Sequence, residues 1–363
     1  MTSSMKAVTL RRGELEVIEA PVPKPGPGDV LVKVLAAGIC GSDLHSATHG
    51  QELIDSTRAV AGFELFDPEN PIVMGHEYCA EVVEYGEGTR GEIPIGSRVT
   101  SVPFLLRGEQ PILIGYAGVE SPGAYAEYML LSEDLMIPVP DSVPSDIAAL
   151  AEPLAVAVHA VNRGGLGADD VPIVIGCGPI GLAVIKVLKL RGIGPIIAAD
   201  FSPARRALAA ELGADIVVDP RVESPYEAWK DAAAVGETER FGRQTTMFPG
   251  FAYRPSVVFE CVGVPGVLQQ IFAGAAPCTK VVVAGLCMEE DRVLPTYALL
   301  KEIDMVFCMA YSVEEFIEAL GYLSRDDVNI APFITSRIGY DDVPEAFSRL
   351  ADPEQDAKIV IMP

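Results

Sequence analysis

A glycine-rich turn near the middle of the chain constrains the fold more than any other feature. The apolar run Val171–Ile175 predicts a buried strand, and the residues up to about Arg191 predict a helix. The segment GCGPIG joins the two and contains Gly176, Gly178, Pro179, Ile180 and Gly181. Glycines at this spacing permit a tight turn, let the backbone approach a pyrophosphate and let the helix pack closely on the strand. The turn therefore predicts a dinucleotide site at the start of a helix, where free N–H groups face the phosphates.

An acidic residue strengthens this prediction. Asp200 ends the next predicted strand, where a carboxylate accepts hydrogen bonds from the adenosine ribose hydroxyls of a dinucleotide. Its charge repels the additional 2′-phosphate of NADP, so NAD is favoured as the cofactor. Arg205 and Arg206 follow closely and keep NADP as the alternative. A glycine-rich turn that binds nothing is the competing structural interpretation.

The residues before this turn predict a separate domain. Short β-branched runs alternate with glycine and proline in residues 1–150, which is typical of a mostly antiparallel β domain. These runs are Asp29–Ala36, Cys79–Tyr85, Ser97–Pro103 and Gly123–Leu131. The pattern changes at Asp146, and residues 147–161, rich in Ala, Leu and Val, predict a buried linking helix. A chain of 363 residues is long enough for two domains.

Strands and helices alternate after the linking helix. Beyond the glycine-rich turn, strands are predicted at Pro195–Ala199, Ile216–Val218, Val257–Glu260 and Lys280–Ala284, with a helix at Ser202–Leu212. This repetition predicts a doubly wound parallel sheet, which is a Rossmann domain, over residues 151–297. Residues 298–363 are predicted to return to the first domain, with a helix at Val313–Leu323 and a strand at Lys358–Met362.

Charge and composition exclude several classes of function. Fifty-one acidic against 27 basic residues leave a net charge of -24, which repels nucleic acid and anionic lipid. No apolar run reaches the ~20 residues that cross a bilayer, and Met1–Pro21 lacks the apolar core of a secretory signal. Seven cysteines without a close pairing pattern favour reduced thiols in a cytoplasmic compartment. The expected partner is a small molecule rather than nucleic acid or a membrane.

Candidate metal ligands stand in two short segments of the β domain. Cys40 and His45 belong to the segment CGSDLH, and His76 and Glu77 are adjacent. Thiolate, imidazole and carboxylate groups are all potential metal ligands. Each residue also has an ordinary explanation, because a lone cysteine packs in a core and a lone histidine bonds a carboxylate.

Together with the glycine-rich turn, these segments resemble the zinc-containing medium-chain dehydrogenase/reductase family, which includes alcohol, sorbitol and threonine dehydrogenases. The resemblance covers nearly the whole chain. Its motifs are GICGSDLH at 38–45, GHE at 75–77, AEPLAVAVH at 151–159 and the glycine-rich turn at 176–181. It implies an α/β plus β fold, in which a GroES-like, mostly antiparallel β catalytic domain (residues 1–150 and 298–363) carries an inserted Rossmann domain (residues 151–297).

The resemblance also implies the chemistry of the site. Cys40 and His76 would bind one catalytic zinc ion, with a carboxylate from Glu77 or Glu152 as a further protein ligand. Zinc is a Lewis acid that lowers the pKa of an alcohol hydroxyl, and hydride then passes to C4 of the nicotinamide. The implied activity is NAD-linked alcohol dehydrogenation, and Glu152 favours secondary alcohols or polyols as substrates.

Supporting roles are implied by the same family. Ser42 would accept the hydroxyl proton, and His45 would pass it through the nicotinamide ribose to solvent. Hydrogen bonding within a local turn is the competing interpretation of these two residues. Asp43 would hold the His76 ring in its ligating tautomer. Further contacts to the ribose and nicotinamide are implied near Val262, Gly285 and Leu286. Association into a homodimer or homotetramer is expected from the family as well.

The chain departs from the family pattern in three places. No cysteine lies between Gly96 and Gly123, where many relatives bind a structural zinc, so one zinc ion per subunit is predicted. Residues 46–71 lengthen the interval between the two zinc motifs and are predicted to insert beside the substrate site. Residues 221–255 are also extended, with a helix predicted at 226–234. The aromatic residues of this segment are expected at the pocket or at a subunit contact. The alternative is a surface loop in which they pack on one another. These residues are Phe241, Phe248, Phe251 and Tyr253.

Two other functions are compatible with parts of the pattern. A zinc-free enone or quinone reductase of the same superfamily would leave Cys40, His76 and the two glutamates without a role, and metal content separates it from the zinc enzyme. A non-catalytic dinucleotide-binding protein, with zinc that only braces the fold, would leave Ser42 and His45 unused. An assay over a panel of alcohols separates that alternative.

Overall fold

The computed structural model describes residues 4–107, 111–235 and 252–363. The chain divides into two compact units. The first unit contains residues 1–153, 316–352 and 358–363, and the second contains residues 154–315 and 353–357. The chain therefore passes from the first unit to the second and back twice.

The bounds of the elements are as follows. The strands are β1 (Ser4–Arg11), β2 (Glu14–Pro21), β3 (Asp29–Gly38), β4 (Ile72–Val73), β5 (Glu77–Tyr85), β6 (Arg98–Ser101), β7 (Phe104–Leu105), β8 (Ile112–Leu113), β9 (Tyr128–Ser132), β10 (Met136–Pro138), β11 (Val171–Ile175), β12 (Ile197–Ala199), β13 (Ile216–Val218), β14 (Ser256–Glu260), β15 (Lys280–Val283), β16 (Asp304–Phe307), β17 (Ser336–Ile338) and β18 (Ile359–Ile361). The helices are α1 (Gly41–Thr48), α2 (Gly50–Ala61), α3 (Ser145–Ala148), α4 (Ala151–Gly164), α5 (Pro179–Leu190), α6 (Pro203–Leu212), α7 (Pro225–Ala233), α8 (Val267–Gly274), α9 (Pro295–Lys301), α10 (Val313–Leu323) and α11 (Val343–Ala351).

A mostly antiparallel sheet forms the centre of the first unit. Its strand order is β10-β6-β5-β3-β18-β17, and β9 also pairs with β3. β3 is buried along most of its length, because side chains of the same core cover it. β18 pairs antiparallel with β3 and parallel with β17, so a strand from the far end of the chain lies beside the strand that leads to Cys40. The antiparallel β domain expected from the sequence is confirmed.

The second unit is built on a six-stranded parallel sheet in the order β13-β12-β11-β14-β15-β16. β11, β12 and β14 are almost wholly buried, as expected of parallel strands that have helices on both faces. β11 lies beside β12 on one side and β14 on the other, so the strand order reverses at the glycine-rich turn. This is the doubly wound Rossmann topology expected from the sequence, and dinucleotides bind at such a reversal.

The return of the chain to the first unit differs from the expected position. The sequence places it at residue 298, whereas the second unit continues to Glu315. The reason is β16, which adds a sixth strand to the parallel sheet after α9. The run Asp304–Phe307 is only four residues long, and the sequence analysis predicted no strand there.

The two extended segments contain helices. Residues 46–71 include α2, which buries Ile54 and ends at Gly62 in the left-handed conformation. α7 matches the helix predicted in residues 221–255, and Tyr253 packs at a ring centroid distance of 5.7 Å on Trp229 of that helix. Phe241, Phe248 and Phe251 lie outside the described residues.

Among the residues described, none of the helices combines the length and the apolar character that a bilayer crossing demands.

Candidate active site

The start of α1 gathers four of the predicted site residues. Cys40 stands at the N-cap, and its backbone N–H donates a hydrogen bond to the Asp43 carboxylate at 3.0 Å. Ser42 and His45 are three residues apart on the helix, a spacing that places both on one face. The cap therefore fixes the orientation of the helix whose side chains carry the predicted proton path.

His76 faces this helix. It follows Gly75, which has a φ of 96° and whose Cβ, if present, would lie 2.6 Å from the Tyr125 ring. The His76 Nε2 atom lies 3.3 Å from the Ser42 hydroxyl oxygen, and its Nδ1 atom lies 3.6 Å from the Asp43 carboxylate. The Tyr125 hydroxyl donates to the other Asp43 oxygen at 2.6 Å. Tyr125 thus fixes the Asp43 carboxylate on the Nδ1 side of the imidazole, and Nε2 lies towards Ser42; in the described structure neither Nδ1 nor the facing Asp43 oxygen has a hydrogen-bond partner.

The surroundings of His76 stabilise positive charge. Burial alone lowers the pKa of His76, but the charges of Asp43, Cys40 and Glu152 outweigh burial and raise this pKa well above its ordinary value. Burial likewise raises the pKa of Asp43 against the opposing effect of His76. Anionic groups that attract a proton to an imidazole in this way also attract a metal cation in its place. The donor set of thiolate, imidazole and carboxylate fits zinc.

The two candidate carboxylate ligands have different environments. Glu77 is buried and forms an ion pair with Lys358, which also donates to the Ile39 carbonyl oxygen at 2.9 Å. Glu152, near the start of α4, is buried too, and its charge acts on His76. Across residues 4–107, 111–235 and 252–363, no three Cys, His, Asp or Glu side chains converge in a geometry that would hold a metal ion. Cys40, His76 and Glu152 are therefore close enough for their charges to interact, but their side chains do not converge on one point.

His45 has the properties of a neutral base. Burial, and then the neighbouring His49, lowers the pKa of His45, so the ring is neutral at pH 7. The two imidazole rings lie 6.0 Å apart. His45 is only half-buried, so a proton that it accepts can reach water.

The glycine-rich turn of the second unit has the geometry of a phosphate-binding loop. Gly176 adopts a φ of 91°, and a Cβ at that position would lie 2.6 Å from the Val262 side chain. A Cβ on Gly181 would collide with the Gly176 carbonyl oxygen, so α5 packs against β11 at a distance that only glycine permits. The first turn of α5, which contains Pro179 and Ile180, follows Gly178 directly. The N–H groups of this turn are available to an anion.

Asp200 is fixed beside this loop. Its two carboxylate oxygens accept hydrogen bonds from the backbone N–H groups of Cys177 and Ser202, each at 2.7 Å. Arg206 forms an ion pair with Asp219 at 3.2 Å, so its charge is already compensated. Arg205 lies over Gly178, and its buried Nε atom has no hydrogen-bond partner in the described structure. A cationic side chain with a spare donor thus stands where a dinucleotide phosphate is expected.

The later strand ends of the second unit meet at the same edge of the sheet. The Glu260 side chain accepts hydrogen bonds from the N–H groups of Val262 at 2.8 Å and Gly263 at 2.9 Å. A Cβ on Gly263 would lie 2.7 Å from the Leu286 backbone nitrogen, and a Cβ on Gly285 would collide with Gly263. The structure therefore brings Val262, Gly285 and Leu286 to one edge of the sheet, and their contact with the ribose and nicotinamide stays a prediction. The sequence analysis missed Glu260, which organises this edge.

Other side chains around His76 were also missed. The sequence analysis treated Lys358 only as the first residue of a terminal strand. A single charged residue in an apolar strand nevertheless indicates a buried residue of opposite charge that pairs with it. The sequence analysis interpreted Tyr125 only as part of a predicted strand. Tyr116, whose ring stacks near His76, had no signal at all, because nothing local distinguishes it from other tyrosines.

Comparison with known proteins identifies both units. Residues 26–141 match the family model described as alcohol dehydrogenase GroES-like domain, and residues 179–325 match the model described as zinc-binding dehydrogenase. The (R,R)-butanediol dehydrogenase of Bacillus subtilis is 33% identical over 96% of this chain and 96% of its own length. The sorbitol dehydrogenase of Gallus gallus is 29% identical over 95% of this chain and 92% of its own. The crystal structure of a Sinorhizobium meliloti chain bound to NADP superposes with a TM-score of 0.80 and 28% identity, covering 99% of this chain and 100% of that one.

A GroES-like unit that carries a Cys, His and Glu donor set, joined to a Rossmann unit with a glycine-rich loop, defines the zinc-type dehydrogenases. This chain belongs to the zinc-containing medium-chain dehydrogenase/reductase family, and within it resembles the alcohol and polyol dehydrogenases.

Proposed function

We propose that this protein oxidises a secondary alcohol or a polyol to the ketone, in a reversible reaction with NAD as hydride acceptor. The observation that carries the proposal is the contact of the Ser42 hydroxyl with His76, in surroundings that stabilise positive charge. A hydroxyl at that position can take the proton of an alcohol held next to the imidazole. The similarity to butanediol and sorbitol dehydrogenases supports the substrate class.

The proton leaves along one face of α1. Ser42 accepts the alcohol proton, and His45, neutral at pH 7 because its pKa is lowered, receives it for delivery to solvent. Asp43 acts through His76, because its carboxylate lies 3.6 Å from Nδ1 and its charge stabilises positive charge on the ring. The hydride is accepted by the nicotinamide of a dinucleotide bound at the Rossmann loop.

The metal ligands proposed are Cys40, His76 and Glu152. When bound, zinc supplies a Lewis acid that lowers the pKa of the alcohol hydroxyl. Glu152 is preferred over Glu77 as the third protein ligand because Glu77 is neutralised by Lys358, whereas the charge of Glu152 acts on His76. One zinc ion per subunit is proposed, since no cysteine lies between residues 96 and 123.

The proposed function is tested by two measurements on one preparation. We expect one zinc ion per subunit and reduction of NAD with secondary alcohols, diols or polyols among a panel that also contains primary and cyclic alcohols. Absence of zinc after reconstitution, together with reduction of enones or quinones, would establish the zinc-free reductase instead. Bound zinc without turnover of any alcohol would establish a binding protein.

The preference for NAD rests on Asp200. Its carboxylate is held by two backbone N–H groups, so it cannot turn away from a 2′-phosphate. We expect Asp200→Ser to lower kcat/KM with NAD roughly tenfold to hundredfold, because a charged hydrogen-bond acceptor is lost, and to raise kcat/KM with NADP. Glu223→Gln, on the exposed surface nearby, is the control and should change neither value. A wild-type preference for NADP contradicts the assignment.

We propose a homodimer or homotetramer that uses the free edge of the parallel sheet. Among the described strands β16 pairs only with β15, and this edge exposes Phe307 and Met309, the latter at 89% of its surface. An unpaired strand edge beside exposed apolar side chains is a typical association surface. We expect Phe307→Glu to lower the molar mass measured by light scattering, whereas Val222→Glu, at a more exposed apolar position elsewhere, leaves it unchanged. An unchanged mass in Phe307→Glu removes this edge from the interface.

A cytoplasmic location is also proposed. All seven cysteines are free thiols in the structure, and this state is stable in a reducing compartment.

A further inference from the structure

Arg107 forms an ion pair with a buried carboxylate at the start of β3. Its Nε atom donates to one Asp29 carboxylate oxygen at 3.2 Å, and its Nη2 atom donates to the other at 2.5 Å. The Asp29 side chain is 2% exposed and also accepts a hydrogen bond from the Gly26 N–H at 2.9 Å. A guanidinium that binds both oxygens of one carboxylate is fixed in position and in orientation. Arg107 is therefore anchored to the strand that leads to Cys40.

The third nitrogen of the same guanidinium binds another part of the chain. The Arg107 Nη1 atom donates to the Ser121 hydroxyl oxygen at 2.8 Å, and Ser121 is buried. Ser121 belongs to residues 116–124, which we call the wall segment. One side chain thus joins the wall segment to Asp29 on β3.

The wall segment is bonded to the backbone that leads to His76. The Val73 N–H donates to the Ala117 carbonyl oxygen at 3.2 Å, and the Gly123 N–H donates to the Val73 carbonyl oxygen at 2.9 Å. A Cβ on Gly123 would lie 2.4 Å from the Met74 carbonyl oxygen, so the two backbones approach at a distance that only glycine permits. A displacement of the wall segment would therefore displace the residues before His76.

The wall segment also contacts His76 directly. The ring of Tyr116, its first residue, stacks on the His76 imidazole, with ring centroids 6.4 Å apart and an angle of 23° between the planes. Two rings packed in this way restrict each other's tilt. The wall segment thus acts on His76 through the backbone and through the imidazole ring.

We propose that Arg107 is a positioning residue for the candidate zinc site, because it fixes the wall segment behind His76 to the strand that leads to Cys40. The inference rests on the proposed zinc site. A lysine at position 107 would keep a positive charge beside Asp29 but would lose the planar fork that reaches Asp29 and Ser121 together. The geometry of the guanidinium therefore distinguishes a positioning role from simple compensation of a buried charge.

The test uses Ser121→Ala, which removes the bond between Arg107 and the wall segment and leaves the ion pair with Asp29 intact. Zinc-loaded protein is mixed with excess chelator, and zinc release is followed by the absorbance of the chelate. We expect release to be roughly threefold to tenfold faster than in wild type, because one hydrogen bond that holds the wall segment is lost. Ser324→Ala, whose hydroxyl bonds the Leu320 carbonyl oxygen on α10, is the matched control and should leave the rate unchanged.

A second variant, Arg107→Lys, separates positioning from charge. Zinc release should accelerate by a similar factor, and adding Ser121→Ala should give no further increase, because both changes remove the same bond. The free energy of unfolding in urea is measured for each variant. Lower stability with zinc release at the wild-type rate, or additive effects of the two substitutions, overturns the inference, because Arg107 then only compensates the charge of Asp29.

Hydrogen exchange separates this inference from the proposed function. Amide exchange of the full-length protein, measured by mass spectrometry with and without zinc, reports the bonds between the wall segment and residues 73–75. We expect faster exchange there in Ser121→Ala and unchanged exchange in Ser324→Ala. Wild-type protein that binds no zinc defeats the proposed function, while the exchange comparison still decides whether Arg107 holds the wall segment. Equal exchange in wild type and Ser121→Ala rejects the positioning role.

Discussion

Replacing His76 with alanine should abolish alcohol oxidation together with zinc binding. The imidazole is the donor around which Cys40, Asp43 and Glu152 concentrate negative charge. Loss of the metal removes several kcal/mol of transition-state stabilisation, which corresponds to a decrease in kcat/KM of about a thousandfold or more. Cys40→Ser should have the same effect, since a hydroxyl is a poor zinc ligand beside a thiolate. Zinc per subunit and kcat/KM with NAD are measured on the same samples.

The control for this pair of variants is Cys278→Ser. Cys278 precedes β15 at the edge of the sheet opposite the glycine-rich loop, so zinc content and activity should match the wild type. Circular dichroism establishes that each variant is folded. Folded His76→Ala and Cys40→Ser proteins that both retain zinc and full activity would remove these residues from the mechanism.

Replacing Lys358 with methionine should destabilise the first unit by about 3–5 kcal/mol, because it leaves the Glu77 carboxylate buried without a counter-charge. Both side chains of the pair are 1% exposed. Methionine has a similar volume, so the change acts through charge and through the lost bond to the Ile39 carbonyl. The free energy of unfolding, from urea denaturation of wild type and variant, gives the size of the effect.

Two further variants separate charge from packing. Lys33→Met removes an exposed lysine from the middle of β3 and should change the free energy of unfolding by no more than about 0.5 kcal/mol. Adding Glu77→Gln to Lys358→Met should restore much of the lost stability, since no net charge then remains buried. A loss below about 1 kcal/mol in Lys358→Met, the value of an exposed pair, means that Glu77 finds another partner or water.

The parts of the fold that the sequence predicted well are those determined by residues close together in the sequence. β11 has the predicted bounds because an apolar run ends at a glycine whose φ of 91° excludes other residues. Ser42, Asp43 and His45 lie together because they share one short helix. Helical spacing and turn chemistry act over a few residues, so they can be seen in one sequence.

The parts that were missed depend on contacts between distant residues. Glu77 begins β5 and Lys358 directly precedes β18, so the whole second unit lies between them in the sequence, and no local pattern shows that these two residues pair. Tyr116 became notable only when its ring was found beside His76 and Phe66. β16 is a strand because β15 offers it an edge, and its run of four residues is too short to be recognised in the sequence alone.

The position of β18 has a consequence for synthesis of the chain on the ribosome. β18 lies between β3 and β17 in the sheet of the first unit, yet it is translated after the whole of the second unit. The nucleotide-binding unit can thus fold while the catalytic unit still has an open edge at β3 and an unneutralised Glu77. A nascent chain stalled before Lys358 should expose that edge to chaperones or to aggregation. Maturation of the catalytic site is therefore a late event, completed when Lys358 reaches Glu77.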